Sequence, residues 1–263
     1  DVLVKLEKGE LFKHYNDYDQ EGTAITSIED GSIIALSGGR KYGARGLNRA
    51  TDINRQPGST AKPLFDYAPY MEYLNGSPGD YFFDEPYAYS TGQSINDADR
   101  KYQGMITLRK GLIGSRNVTA LQAFQKVAAK DQSLIENFVH SVGINYGSAL
   151  YESASIGGFN GTNPLEMSAA YAVFGRGGYY IKPYSFTKVI FEDGTTYENK
   201  YTKEKVISEE TSYMITNVLV DTVRDSWSGS IKISGTEVAG KTGTTNLDTA
   251  TQKAQNLPAD LIP

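Results

Sequence analysis

Cysteine is absent from the 263-residue chain, so disulfides and thiolate-bound metal are excluded. Histidine is nearly absent too: His14 and His140 are the two present. A histidine-based zinc site or a Ser-His-Asp triad would have to use one of them, and neither sits in a suggestive pattern. No apolar run approaches the ~20 residues of a membrane span, and no secretory leader opens the chain. No block of Lys and Arg stands clear of acidic neighbours, and the formal net charge is -5. A nucleic-acid footprint is therefore missing. Internal repeats and low-complexity tracts are missing as well.

What is there is ample apolar content. Hydrophobic residues make up 39% of the chain, enough for one large domain or two lobes sharing a core. Alternation over 24–28 and 32–36, flanking Glu29-Asp30-Gly31, reads as a β-hairpin. After a basic loop, a helix is expected from Ser59 to about Leu74, with Pro63 in its first turn and Pro69 bending or ending it. Residues 75–103 are rich in Gly, Pro, Asp, Tyr and Ser and read as a long ordered loop, a kind usually kept for function. Helical patterns cover 107–113, 118–129, 132–142, 164–174 and 208–223. Strands are expected over 182–191, 195–197 and 237–244. This order gives an α+β fold: an antiparallel sheet flanked by helices, plus an inserted helical lobe, with a cleft between the lobes.

Three short motifs carry the chemistry. In Ser59-Thr60-Ala61-Lys62 the hydroxyl and the amine share a helix face at i and i+3. A serine hydroxyl is a poor nucleophile until a base takes its proton, and a neutral lysine amine can be that base. Alone the spacing says little, because a solvated helix face matches it by chance. Ser115-Arg116-Asn117 lies between two expected helices. Its hydroxyl could relay a proton and its amide could hold a substrate peptide group, while Asn117 is also the obvious N-cap of the helix that follows. In Lys241-Thr242-Gly243-Thr244, a glycine on a cleft-edge strand lets a substrate backbone lie close. Thr242 and Thr244 offer hydroxyls to a carboxylate, and Lys241 adds a charge that would also depress the Lys62 pKa.

A rival reading must be met. Gly235-Thr236-Glu237-Val238-Ala239-Gly240-Lys241-Thr242 fits the phosphate-binding P-loop pattern at every position. Its context does not. Ser226-Trp227-Ser228-Gly229-Ser230-Ile231-Lys232 is not a buried strand, and too little chain follows for the strands that would carry a magnesium-binding acid.

The three motifs in this order resemble those of penicillin-binding proteins and class A β-lactamases. The flanks tighten the likeness to class A (bifunctional) penicillin-binding proteins, closest to streptococcus-like Gram-positive members. They are Asn48-Arg49-Ala50, Arg55-Gln56-Pro57-Gly58 before Ser59, Pro63 after Lys62, Tyr102-Gln103-Gly104, Ile156-Gly157-Gly158, Asn163-Pro164-Leu165-Glu166-Met167 and Gly177-Gly178-Tyr179-Tyr180-Ile181-Lys182-Pro183. The likeness runs from about Ala24 to Asn246.

The resemblance implies a D,D-transpeptidase domain over 21–263, with 1–20 a linker or interdomain segment. It implies that Ser59 attacks the D-Ala-D-Ala end of a peptidoglycan stem peptide and that an amine of a neighbouring stem peptide resolves the acyl-enzyme. β-Lactam antibiotics would acylate the same serine. Carried over by position, Lys62 is the base, Ser115 a proton relay and Asn117 a substrate amide contact. Lys241, Thr242, Gly243 and Thr244 form the carboxylate-binding edge, and the amides of Ser59 and Thr244 form the oxyanion hole. No cofactor and no metal are implied. Also implied are a glycosyltransferase domain and a membrane anchor elsewhere in the full-length protein, and a location on the extracytoplasmic face of the cell membrane. The family fold continues past the third motif, so its C-terminal strands are expected on another chain, to have been cleaved, or beyond a break.

Alternatives remain at this level. A D,D-carboxypeptidase differs in the acceptor, and a penicillin-sensing domain would acylate without turnover. A β-lactamase would need a deacylating carboxylate in an E-x-x-L-N context after the second motif, and Glu72-Tyr73-Leu74-Asn75 has the wrong spacing and place. Tyr81, Phe82, Phe83, Tyr87 and Tyr89 either line the cleft mouth or pin down the long loop that carries them.

Overall fold

The computed structural model describes residues 2–11, 19–147, 149–226, 231 and 233–246. His14, part of the expected 1–20 linker, most of 227–232 and the polar stretch 247–263 lie outside the described residues.

Helix α1 covers Val2–Glu7. The expected hairpin forms from β1 (Thr23–Thr26) and β2 (Ile33–Ser37), antiparallel, with Thr23 opposite Ser37 and a bulge at Ile25/Thr26. Its turn closes locally, because the Asp30 carboxylate accepts the Ser32 N–H at 3.0 Å and Gly31 takes the left-handed φ of 80°.

The helix expected from Ser59 changes pitch as it goes. A 3-10 turn (Gly58–Ala61) leads into a π turn (Pro63–Tyr67) and then into α2 (Ala68–Leu74). In a regular α-helix the Pro69 ring would strike the carbonyl four residues back. The π turn, where the Ala68 N–H reaches back to Pro63 O, widens the wall there and lets the helix continue.

The 75–103 stretch is less of a loop than its composition suggests. It holds β3 (Tyr81–Asp84), β4 (Tyr87–Ala88) and β5 (Ser94–Ile95). Strand β3 pairs antiparallel with β6 (Gly104–Thr107), and β4 pairs with β5. Helices α3 (Leu108–Ile113), α4 (Asn117–Asp131) and α5 (Ser133–Ser141) follow the helical periodicity. Helix α6 (Pro164–Gly175) opens on a proline, capped by Asn163, whose side chain accepts the Glu166 N–H at 2.9 Å. The rest comprises β7 (Tyr179–Tyr180), β8 (Lys188–Ile190), β9 (Thr196–Glu198), β10 (Glu204–Lys205) and α7 (Glu209–Ser226). Strand β8 pairs with β9 across Asp193-Gly194, and β7 pairs with β10.

One expected strand does not form. Residues 237–246 are irregular, and the strand expected over 237–244 has no ladder partner among the described residues. Alternation alone does not make a strand, because its N–H and C=O groups need a neighbouring strand to pair with. Nor does a helix follow Gly240-Lys241, as a P-loop would require.

The chain divides into two compact units. The first contains residues 1–55, 137–145 and 162–213. In it α6 packs on β1, with Thr26 Oγ1 and Ser168 Oγ 2.8 Å apart. Arg176 at the end of α6 donates to Ser27 O and Ile28 O, and so pins the hairpin. The second unit contains 56–136, 146–161 and 214–263. Its core joins Leu64, Phe65 and Tyr67 to Leu108, Leu112, Leu121, Phe124 and Val127, all at most 1% exposed. Each such side chain contributes ~1.5–3 kcal/mol by burial. Phe65 packs against Phe159 with ring centroids 4.9 Å apart, and Tyr67 Oη lies 3.1 Å from Thr119 Oγ1. The segment after Ser59 is thus a buried post held by α4.

Candidate active site

All the residues of the three motifs belong to the second unit. Ser59 lies in the 3-10 turn, partly exposed, and Lys62 caps the same turn with 0% of its surface exposed. In a 3-10 turn residues three apart eclipse, so both side chains leave the same side.

The three hydrogen bonds of the Lys62 amine cross to the second motif. Nζ lies 2.5 Å from Ser115 O, 2.7 Å from Asn117 Oδ1 and 3.4 Å from Ser115 Oγ. From the third motif, Lys241 Nζ donates to Ser115 Oγ at 2.8 Å and to Thr242 O at 3.0 Å. Ser115 is therefore the meeting point of two amines. Its backbone is left-handed, with φ 52°, which an L-residue adopts only when its surroundings hold it there.

Burial first, and the charge of Lys241 second, bring the Lys62 pKa down from 10.5 to about 7. Burial brings Lys241 down to about 8. Burial and the neighbouring Lys241 charge thus favour the neutral form of Lys62. A neutral amine has two N–H bonds and one lone pair. Ser115 O and Asn117 Oδ1 can only accept, so they claim the two N–H bonds. The lone pair is left for a hydroxyl.

Asn117 plays a part the sequence did not suggest. It is not the N-cap of α4. Arg116 holds that position without a side-chain cap, and the Asn117 amide N–H goes instead to the Asp97 carboxylate. The Asn117 side chain takes Lys62 on its oxygen and donates to Asn96 O at 2.7 Å, which leaves one N–H for any substrate. Gly243 is likewise used differently. A Cβ there would lie 2.1 Å from Pro57 O, so the backbone it admits is the chain's own. Gly157, at φ 87°, faces Gly58 in the same manner: a Cβ would sit 2.4 Å from Gly58 O. These approaches hold the third motif and the 152–157 turn against the turn that carries Ser59. Thr242 and Thr244 are exposed beside Lys241.

Sequence reasoning missed Asp66. It is fully buried in the π turn, its carboxyl oxygens have no hydrogen-bond partner among the described residues, and burial holds it well above the usual carboxylate range. Its position four residues after Lys62 was the one available signal. The aromatic residues of 81–89 divide. Phe82 is buried edge-on against Tyr70, and Tyr87 and Tyr89 pack on Ile95, Val118 and Leu121. Tyr81 and Phe83 are exposed. Packing therefore accounts for three of these five side chains. His140 lies in the first unit.

Among the described residues no group of His, Asp and Glu could hold a metal ion, and no helix is long and apolar enough to cross a membrane. A family model for the penicillin binding protein transpeptidase domain matches residues 22–259. Penicillin-binding protein 1A/1B of Bacillus subtilis is 38% identical over 242 residues, covering 90% of this chain and 26% of that protein. Penicillin-binding protein 1A of Streptococcus oralis is 34% identical over 248 residues, covering 90% of this chain and 38% of that protein. The chain thus spans well under half the length of these relatives. Among solved structures, the penicillin-binding protein PonA1 of Mycobacterium tuberculosis superposes with TM-score 0.80 at 19% identity, covering 94% of this chain and 67% of that one. That likeness carries the fold, α+β as expected. With the three motifs gathered on Ser115 and the family model matched over nearly the whole chain, the chain belongs to the penicillin-binding protein transpeptidase family.

Proposed function

We propose that this domain is a serine D,D-transpeptidase that cross-links peptidoglycan stem peptides through an acyl-enzyme on Ser59, and that β-lactams acylate the same oxygen. The observation that carries the reading is the buried Lys62 amine, neutral from about pH 7, whose N–H bonds are both taken by pure acceptors.

Ser59 Oγ attacks the carbonyl carbon of the penultimate D-Ala, and its proton passes to the Lys62 lone pair. The amides of Ser59 and Thr244 serve the developing oxyanion. The Ser59 amide lies in the first turn of a helix, where no intrahelical partner is available, and the Thr244 amide has no backbone acceptor among the described residues. Loss of one such donor typically costs ~10²–10³ in rate. Ser115 Oγ accepts from Lys241, so its own proton is free to move. It can give that proton to the leaving D-Ala amine and take one from Lys62. Collapse of the tetrahedral intermediate expels D-Ala and leaves an ester on Ser59. The amine of a second stem peptide then attacks the ester, loses a proton through the same chain, and returns it to Ser59 Oγ. Lys241 with the exposed Thr242 and Thr244 hydroxyls binds the terminal carboxylate. Asn117 orients Lys62 and offers its remaining N–H to the substrate peptide. The glycosyltransferase domain, the membrane anchor and the extracytoplasmic location belong to the same proposal for the full-length protein.

The test is mass spectrometry after incubation with a β-lactam. A single adduct on Ser59, absent in Ser59→Ala, is expected. A folded, complete domain that takes no adduct refutes the reading. A stem pentapeptide offered with an acceptor amine then separates cross-linking from hydrolysis to the tetrapeptide.

A further inference from the structure

The left-handed Ser115 turn needs something to hold it, and the residue after it shows what does. Arg116 is 4% exposed and is surrounded by the preceding segment. Its Nε donates to Asp84 Oδ2 at 2.9 Å, its Nη1 to both Asp99 oxygens at 3.0 Å, and its Nη2 to Lys101 O. Nη2 also lies 3.0 Å from Asp97 Oδ2. The other Asp97 oxygen accepts the amides of Asn117 and, at 3.4 Å, Val118. Asp97 therefore caps α4 from outside the helix, across a separation of 20 residues in the chain.

This arrangement is costly. Asp84 and Asp97 are both at most 2% exposed and lie beside each other, so two carboxyls share one guanidinium in the interior. Burial, then the hydrogen bond with Asp84, pushes Asp97 up to about 6. Asp84, Arg116, Lys62 and the Tyr67 ring are the groups that feel its charge. A cap on an ordinary helix needs no second buried acid.

We propose that Asp97 is a positioning residue for acylation: its bond to the Asn117 amide, braced by Arg116 and Asp84, fixes the turn that presents Ser115 and Asn117 to Lys62. The inference rests on the Ser59 reading and extends it to a segment outside the three motifs. What matters is the place of the acceptor oxygen rather than the charge. Asparagine at 97 keeps an acceptor for the Asn117 amide and gives up only the ion pair with Arg116 Nη2. Glutamate keeps the charge but moves the acceptor by one methylene.

The test uses the full-length protein and a fluorescent penicillin, separating the drug's dissociation constant from the acylation rate constant at saturation. Wild type must first label on Ser59; if it does not, the Ser59 reading itself has failed. Given labelling, Asp97→Ala and Asp97→Glu should lower the rate constant ~10- to 100-fold, the cost of one charge-assisted hydrogen bond, with the dissociation constant little changed. Asp97→Asn should stay within about threefold of wild type. If Asp97→Ala does not fold, Asn against Glu decides. Glu equal to wild type, or Asn as slow as Glu, overturns the proposal.

Discussion

Replacing Lys241 by glutamine should move the pH dependence of acylation upward. Lys62 Nζ is 3.4 Å from Ser115 Oγ and Lys241 Nζ is 2.8 Å from the same atom. The two nitrogens are therefore no more than about 6 Å apart, and at an effective dielectric constant of ~20 two unit charges there repel by ~3 kcal/mol, or ~2 pKa units. Lys241 is half-buried, and solvent screening reduces this to ~1–2 units. Protonating Lys62 places a second cation beside Lys241, so removing the Lys241 charge makes that proton easier to hold. Glutamine retains a donor for Ser115 Oγ, so the perturbation is mainly one of charge. The assay is the acylation rate constant at saturating penicillin from pH 5.5 to 10, where weaker carboxylate binding does not enter. Wild type should rise through a midpoint near 7, where Lys62 becomes neutral. The variant should rise through a midpoint of ~8–9. An unmoved midpoint, or one moved down, refutes the claim that Lys241 helps to keep Lys62 neutral.

Two further outcomes follow from the same geometry. Lys62 has a folded pKa of about 7 against 10.5 when free, so between those values the unfolded chain binds the proton and the folded chain does not. The Lys62 contribution to stability therefore rises with pH across that window and falls back on acidification. The stability of wild type relative to Lys62→Met should climb by ~2 kcal/mol from pH 7 to 9 in denaturant titrations; a flat difference contradicts it. Gly157→Ala would force a Cβ to 2.4 Å from Gly58 O at a φ of 87°, so something must shift. A loss of ~2–4 kcal/mol in unfolding free energy is expected, with slower labelling of Ser59, and a variant as stable as wild type would show that the two turns do not touch.

Much of the local structure was legible before any coordinates. Asp30-Gly31 marks its hairpin because the turn geometry is set within four residues. Asn163-Pro164 marks the start of α6 because cap and first turn are adjacent in the chain. Where the reading failed, a distant partner was responsible. The strand expected over 237–244 had the right alternation but no ladder, and the 75–103 stretch hid a ladder whose other half is β6. The pitch change at 63–67 makes room for Pro69, whose ring would otherwise strike the carbonyl four residues back.

The candidate site shows the same division. The sequence alone determined the order of the three motifs and put Ser59 and Lys62 on one helical turn, and it tied the chain to its family. It could not determine what Lys62 touches. That depends on Ser115 and Asn117, 53 and 55 residues further on, and on Lys241, 126 residues beyond Ser115. Nor could it reveal that Asp97, rather than Asn117, caps α4. A hydrogen bond is a contact of about 3 Å and a pKa is set by burial and by charges within several ångströms. Neither distance is a function of separation along the chain, so the base strength of Lys62 was decided by the tertiary structure.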